Sequence, residues 1–94
     1  MGIKKIARPI NKAKNDFVKW LKSENAEMID IYEGGTYCAE WEYYRMVSAF
    51  IGENLYTVCF TIWNDSIQIE YSDDENRYTC FSVEEFRMLM PEIN

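Results

Sequence analysis

The side chains that could carry chemistry in this 94-residue chain are carboxylates and thiols, because the sequence contains no histidine. Histidine is the most common general base and metal ligand. Two close carboxylate pairs, Glu40 with Glu42 and Asp73 with Asp74, could in principle supply an acid and a base. Nothing in the sequence gives one member of either pair a less polar environment than the other, so we expect both pairs on the solvated surface.

The thiols and glycines give no catalytic or metal-binding pattern. The three cysteines, Cys38, Cys59 and Cys80, lack the close C-x-x-C spacing of a zinc site, and their odd number indicates reduced thiols. Gly34-Gly35 lacks the lysine and hydroxyl residue of a phosphate-binding loop. We therefore expect a protein that is not an enzyme and that holds no metal and no cofactor.

The composition is that of a folded globule, with 48% hydrophobic and 16% aromatic residues. Its length fits a single domain over residues 1–94, in which residues 1–8 could form a flexible basic arm. No stretch approaches the roughly 18 apolar residues of a membrane span, and the charged first 22 residues do not resemble a secretory signal. These features predict a cytoplasmic protein that makes no membrane contact.

Charge divides the chain into two unequal parts. Residues 1–22 carry seven lysines and arginines against Asp16, a net charge of +6. The other 72 residues carry three arginines against fifteen acidic groups, a net charge of −12. This division predicts either two surfaces with different partners or a basic element that lies on an acidic one.

A hairpin forms the centre of the predicted sheet. Apolar and polar residues alternate on both sides of Asn64-Asp65, a dipeptide typical of two-residue turns. A register with this dipeptide as the loop puts every apolar residue on one face, whereas a shift by one residue would bury Gln68 and Glu70. The predicted facing pairs are Ile62 with Ile67, Phe60 with Ile69, and Val58 with Tyr71.

A strand over residues 43–51 extends the same core face. With Glu53-Asn54 as its loop, Ile51 would face Tyr56, Ala49 would face Val58, and Val47 would face Phe60. A helix over residues 38–51 is the alternative, because alanine, glutamate, methionine and arginine favour helices. A short strand, or the tail of a preceding helix, is expected over residues 27–32, ending at Gly34-Gly35.

Two helices should flank these strands. Pro9 suits the first turn of a basic amphipathic helix over residues 9–23, with an apolar stripe of Ile10, Ala13, Phe17, Trp20 and Leu21. After a last strand over residues 77–81, Ser82 and Glu85 form a capping box, and Phe81 and Phe86 are placed for a hydrophobic staple. They predict a helix over residues 83–90 that ends before Pro91.

Together these elements predict an α+β fold in two layers, with a curved antiparallel sheet of four to five short strands and both helices on its core face. Tyr44, Met46, Phe50, Leu55, Cys59 and Trp63 would then share the other face. That is more apolar surface than a solvated face normally carries. Either another element covers this face, or it is an interaction or dimer surface.

The leading functional hypothesis is a protein-binding inhibitor of a nucleic-acid-processing enzyme. An acidic and aromatic surface of this protein would bind the basic surface of that enzyme. Its candidate acidic residues are Asp65, Glu70, Asp73, Asp74 and Glu75, and its candidate aromatic residues are Tyr44, Phe50 and Trp63. Carboxylates on one face of a strand stand about 6.8 Å apart, whereas duplex DNA carries one charge per roughly 1.7 Å of axis. Phosphate mimicry would therefore need several acidic edges that converge.

In its small size, acidity, richness in Tyr, Asn and Glu, and helix–meander–helix layout, the chain resembles small phage-encoded anti-defence proteins, including anti-CRISPR inhibitors. The resemblance implies an inhibitory function and assigns no residue. The basic segment Lys4 to Lys22 departs from a purely acidic mimic, and would suit a protein that contacts both nucleic acid and a protein.

Two alternatives use other surfaces. A small nucleic-acid-binding regulatory module would use the basic helix, with Lys12, Lys19 and Lys22 on phosphates and Trp20 for stacking. A structural or assembly protein would oligomerise, for example as a homodimer, through the aromatic sheet face.

Overall fold

The computed structural model describes residues 3–33 and 43–93. Its elements are helix α1 (Ile3–Ser23), strands β1 (Glu27–Tyr32), β2 (Tyr43–Ile51), β3 (Asn54–Trp63), β4 (Ser66–Ser72) and β5 (Arg77–Cys80), helix α2 (Val83–Leu89) and a 3₁₀ turn (Pro91–Ile93). The five strands form one antiparallel sheet in sequential order. The α+β prediction is confirmed. Gly34-Gly35, Cys38, Glu40 and Glu42 lie outside the described residues.

The β3–β4 hairpin has the predicted register. Ile62 pairs with Ile67, Phe60 with Ile69, and Val58 with Tyr71. Both loop residues have positive φ, 51° for Asn64 and 63° for Asp65. A type I′ turn requires this conformation at both central positions, and Asn and Asp tolerate it better than most residues. The turn chemistry and the alternation of side chains therefore specify the same pairing.

The predicted register of the β2–β3 hairpin is wrong by two residues. Val47 pairs with Val58 and Ala49 with Tyr56, so the loop is Gly52-Glu53 rather than Glu53-Asn54. Gly52 has a φ of +62°, a conformation that glycine adopts without a steric cost and that the first position of a tight hairpin turn favours. A shift of two residues preserves the side-chain faces, so the predicted core face is retained.

The first two strands settle the alternatives that the sequence left open. Residues 43–51 form strand β2 and not a helix, and residues 27–32 form edge strand β1. The β1–β2 ladder shifts register between Glu27 and Asp30, where Met28 has a φ of 55°. Such a bulge bends an edge strand and hinders its pairing with another chain.

Helix α1 begins at Ile3, six residues before the predicted start. The prediction placed Pro9 in the first turn, where its missing N–H is harmless. Pro9 instead lies inside the helix, where it leaves the carbonyl of Lys5 without its usual donor. Lys5 and Pro9 are both exposed, so water can reach this side of the helix. The sequence allowed a flexible arm over residues 1–8, but residues 3–8 are helical.

The core lies between the sheet and the two helices. The α1 stripe residues Ile10, Ala13, Phe17 and Leu21 are fully buried. The ring of Phe86 in α2 packs edge-on against Phe17 at 6.2 Å and against Phe60 of β3 at 5.5 Å between ring centroids. One α2 side chain thus joins both layers. An ion pair of 3.0 Å between Arg87 and Asp16 fixes α2 beside α1.

The N-cap half of the predicted capping box is confirmed for α2, and the staple prediction is not supported by burial. The Ser82 hydroxyl oxygen accepts a hydrogen bond of 3.1 Å from the N–H of Glu85, as an N-cap should. Phe86 is buried, but Phe81 is 63% exposed and contributes little to the core. The cap therefore begins the helix, and the position of Phe86 in the core holds it on the sheet.

Candidate functional site

The sheet side that faces away from α1 and α2 carries the predicted aromatic cluster, and we call it the outer face. Directly paired residues share a face, and Phe50 pairs with Leu55 while Met46 pairs with Cys59. Tyr44 lies two residues from Met46 on β2, and Trp63 lies four residues from Cys59 on β3, so their side chains are on the same face as these residues. The predicted grouping of six outer-face residues therefore agrees with the observed ladders.

Within residues 3–33 and 43–93, both helices and the 3₁₀ turn pack on the core face, and none packs on the outer face. Trp63 is 55% exposed and Leu55 is 39% exposed, while Tyr44, Met46 and Phe50 are half-buried. Tyr44 makes an edge-to-face contact with Tyr32 of β1, at 5.6 Å between centroids. The outer face thus combines packed aromatic side chains with exposed apolar surface, and contiguous exposed apolar surface is common at interaction sites.

One end of the sheet brings acidic turn residues close to apolar residues of the outer face, although Asp73 itself contacts Tyr71 of the core face. The turn between β2 and β3 and the turn between β4 and β5 lie side by side, because the Leu55 N–H donates a 3.2 Å hydrogen bond to Asp74. Glu27 pairs across the ladder with Phe50 at the same end. We call this end the acidic corner, defined by Glu27, Glu53, Asp73, Asp74 and Glu75; Glu27 adjoins Phe50, and Asp74 adjoins Leu55.

Asp73 holds the turn of the acidic corner together. One of its carboxylate oxygens accepts hydrogen bonds from the N–H groups of Glu75 at 2.9 Å and Asn76 at 2.7 Å, and the other accepts from the Tyr71 hydroxyl at 2.7 Å. The Tyr71 hydrogen bond is the main cause of the lowered pKa of Asp73, and the backbone donors lower it further. Burial, and then the bond to Asp73, raise the pKa of Tyr71.

Part of the predicted acidic set is therefore engaged in hydrogen bonds within the fold. Asp73 and Asp74 are hydrogen-bond acceptors within the fold, whereas Glu75 and Glu53 are exposed turn residues. A shallow cavity of about 150 Å³ between the two turns is lined by Asn54, Tyr56, Asp73, Asp74 and Glu75.

The five predicted acidic residues do not converge on one point. Glu70 lies in the middle of the outer face, directly across from Cys59. Asp65 lies in the β3–β4 turn, at the opposite end of the sheet from Asp74. Strand β3 has ten residues and spans roughly 33 Å, so Asp65 and Asp74 are separated by about that distance. Dense phosphate mimicry by all five residues is not possible in this arrangement.

Trp63 marks the end of the outer face at which Asp65 lies. It borders an open cavity of about 230 Å³, which is lined by Thr61, Trp63, Ser66, Ile67, Gln68 and Phe81. Trp63 and Phe81 are both more than half exposed. This end is thus aromatic, whereas the acidic corner is mainly charged, and Phe50 and Trp63 belong to opposite ends of the surface.

The predicted lysines lie on the opposite layer of the molecule. Lys12, Lys19 and Lys22 are exposed on α1, and Lys12 forms an ion pair of 3.3 Å with Asp16. The early start of the helix adds Lys5 and Arg8 to the same side, since they precede Lys12 by seven and four residues. These two residues were not among the predicted phosphate contacts because the predicted helix began at Pro9, although their spacing continues the pattern.

No chemical centre appears in the described part of the chain. Among residues 3–33 and 43–93 there is no group of three or more Cys, Asp or Glu side chains placed to hold a metal ion. Cys59 and Cys80 are free thiols whose pKa values are raised by burial. Over the same residues, no helix has the length and apolar character that crossing a bilayer requires.

Comparison of the chain with protein-family models, with curated proteins and with solved structures finds no match.

Proposed function

We propose that this protein is a small, non-enzymatic, cytoplasmic inhibitor that binds the basic surface of a nucleic-acid-processing enzyme through its outer face. The observation that carries the proposal is the acidic corner, where the half-buried Phe50 and the exposed Leu55 adjoin Glu27 and the turn that contains Asp74. Apolar centres with charged rims are a common arrangement of protein interfaces. An anti-defence role of the kind that the sequence resembles belongs to this proposal.

The negative charge of the outer face favours a partner with a basic surface. Along the strands, the outer face carries Glu27, Asp30 and Glu70 against Arg77, and the exposed turn residues Glu53 and Glu75 add to the excess of negative charge. An enzyme that binds phosphate backbones presents lysines and arginines, which complement this surface. Carboxylates would steer the encounter, and the aromatic and aliphatic side chains would supply most of the affinity.

The same charges argue against the outer face as a homodimer interface. In a two-fold dimer each subunit contributes the same surface. Face-to-face association would therefore bring the carboxylates of one copy towards those of the other, and like charges across an interface oppose association.

Competition measures the proposed function directly. The protein, used as bait in a lysate of its native host, should capture a nucleic-acid-binding enzyme, and should then prevent that enzyme from binding a labelled nucleic acid. A bait with Phe50→Ala and Trp63→Ala should lose both effects, while one with Met88→Ala, a change on the exposed side of α2, should keep them.

A captured partner that binds nucleic acid equally well with and without this protein contradicts inhibition. Dimerisation that is lost in the Phe50 and Trp63 variant supports the assembly alternative instead.

A further inference from the structure

We propose that the solvent-facing side of α1 is a second binding surface, which contacts the phosphate backbone of a nucleic acid. We call it the basic stripe, and it consists of Lys5, Arg8, Lys12, Lys19 and Lys22. The successive spacings of three, four, seven and three residues place all five on one side of a helix. This inference does not rest on the proposed inhibitory function, because it concerns the other layer of the fold.

The dimensions of the basic stripe suit an extended polyanion. From Lys5 to Lys22 the helix rises about 25 Å, since each residue adds 1.5 Å. This length corresponds to about seven nucleotide steps of 3.4 Å. A row of cations along such a length matches a chain of phosphates better than a single anionic group.

Most of the positive charge in the basic stripe is available. Among residues 3–33 and 43–93, the cations in salt bridges are Lys12, Lys14, Arg45 and Arg87, so four of the five stripe residues have no carboxylate within 4 Å there. Lys14, by contrast, is nearly buried and lies 3.8 Å from Glu33. Lys14 is therefore used in an internal ion pair, whereas the residues of the basic stripe are exposed to solvent.

Nearby acidic groups determine which flank of the basic stripe is more favourable for phosphate binding. Asp16 lies on the flank towards α2, where it already pairs with Lys12 and Arg87, and Glu92 lines the adjoining cavity with Lys12 and Lys19. Arg8 and Lys22 lie on the other flank by helical periodicity. Even the shortest dimension of the molecule, 21 Å, exceeds two screening lengths of about 8 Å at physiological ionic strength, so carboxylates on the far side weaken phosphate binding little.

A membrane surface is a poorer fit to the same helix. Amphipathic helices that bind bilayers insert an apolar face among the lipids. The apolar face of α1 is fully buried in the core at Ile10, Phe17 and Leu21, so it is not available for insertion. Only the charged side is exposed, and a chain of phosphates complements it without any unfolding.

The test is the salt dependence of binding to labelled nucleic acid, measured by fluorescence anisotropy on the full chain. The probes are a duplex and a single strand of about 15 nucleotides, at about 50 to 200 mM salt. If all five cations contact phosphates, log K should fall against log salt with a slope of about −4.5 for the duplex, or −3.5 for the single strand. The probe that binds with the lower Kd at the same salt concentration is the preferred form, since the two slopes differ even for equal numbers of contacts.

A charge-matched pair of variants locates the surface. Lys19→Gln with Lys22→Gln should reduce the duplex slope by about 1.8 and weaken binding by roughly 10- to 30-fold near 0.1 M salt. Ser66→Glu with Thr79→Glu changes the net charge equally at exposed sheet positions, and it should leave binding within about twofold, because it removes no phosphate contact. Lys5→Gln with Arg8→Gln tests the other end of the stripe in the same way.

The proposal is overturned if wild-type binding is undetectable or independent of salt. It is also overturned if the sheet variant loses as much affinity as the two stripe variants, since net charge alone would then explain the effect. Binding to vesicles of phosphatidylcholine and phosphatidylserine with no binding to either nucleic acid would assign the stripe to a membrane surface instead. Thermal midpoints of all variants should stay near wild type, because every substituted residue is exposed.

Discussion

The backbone N–H of Leu55 donates a hydrogen bond of 3.2 Å to Oδ1 of Asp74, and this bond joins the first residues of β3 to the turn that follows β4. An exposed apolar side chain and an acidic turn are thereby held next to each other, although they are 19 residues apart in the sequence. This relationship gives the acidic corner its composition.

The turn beside this bond should make folding sensitive to acid. The folded pKa of Asp73 is held below its usual value, chiefly by the Tyr71 hydroxyl, so its ionised form stabilises the fold above about pH 4. This stabilisation is lost as the pH falls through the lowered pKa. Asp73→Asn should destabilise the protein by about 1 to 2 kcal/mol at pH 7 and by less at low pH.

Urea unfolding at neutral and acidic pH measures this difference, with Glu75→Gln as the control. Glu75→Gln removes a neighbouring exposed charge but leaves the turn acceptor in place. Equal pH dependence in wild type and Asp73→Asn would show that the Asp73 contacts do not contribute.

Phe60 tests which face of the sheet is the core. It is fully buried and meets the ring of Phe86, so Phe60→Ala should cost about 3 to 5 kcal/mol through the cavity it leaves. Met88 is 82% exposed on α2, and Met88→Ala should change stability by no more than about 0.5 kcal/mol. An unchanged denaturation midpoint for Phe60→Ala would mean that the two sheet faces are inverted.

The cap of α2 should have a measurable effect on stability. Ser82→Ala removes the acceptor of the Glu85 N–H and should cost about 1 kcal/mol. Ser66→Ala, at an exposed position of β4, is the matched control and should have little effect. Chemical denaturation compares the two, and equal midpoints would show that the hydrogen bond is not needed for helix formation.

The thiols report on the two sides of the sheet. Burial raises the pKa of Cys59 and of Cys80, so both should be alkylated more slowly than in the urea-unfolded chain, and Cys80, which is 5% exposed, should be the slower. A partner on the outer face should protect Cys59 further and leave Cys80 unchanged. Site-resolved mass spectrometry gives both rates, and alkylation of Cys59 at the unfolded rate would contradict its half-buried position.

The local signals in the sequence were sufficient for most of the fold. Asn64-Asp65 and the alternation around it specified the β3–β4 register, and Ser82 with Glu85 specified the start of α2. The predicted β2–β3 loop, Glu53-Asn54, was one residue too late because Gly52, Glu53 and Asn54 are all acceptable turn residues. The positive φ of Gly52 distinguishes the observed loop, Gly52-Glu53, from the predicted one. The start of α1 was missed because Pro9 favours a first turn, and the preference of one residue was overruled by the rest of the helix.

The candidate surfaces were less predictable than the strands. Residue types and strand parity identified the outer face, but they could not show that Asp65 and Asp74 lie at opposite ends of it. The pairing of Leu55 with Asp74 depends on the side-by-side position of two turns, which is a tertiary property. Lys5 and Arg8 belong to the basic stripe because α1 begins at Ile3, before the predicted start at Pro9.

The most direct test of the central claim is the association rate with the captured enzyme as a function of salt. Glu70→Lys with Glu75→Lys should slow association by about tenfold or more at low salt, and the difference should shrink as salt rises. Glu84→Lys with Glu92→Lys makes the same charge change at exposed positions of the helix layer and should have a much smaller effect. If the two variants associate at the same rate, or if salt changes neither, the acidic outer face does not guide binding and the account is contradicted.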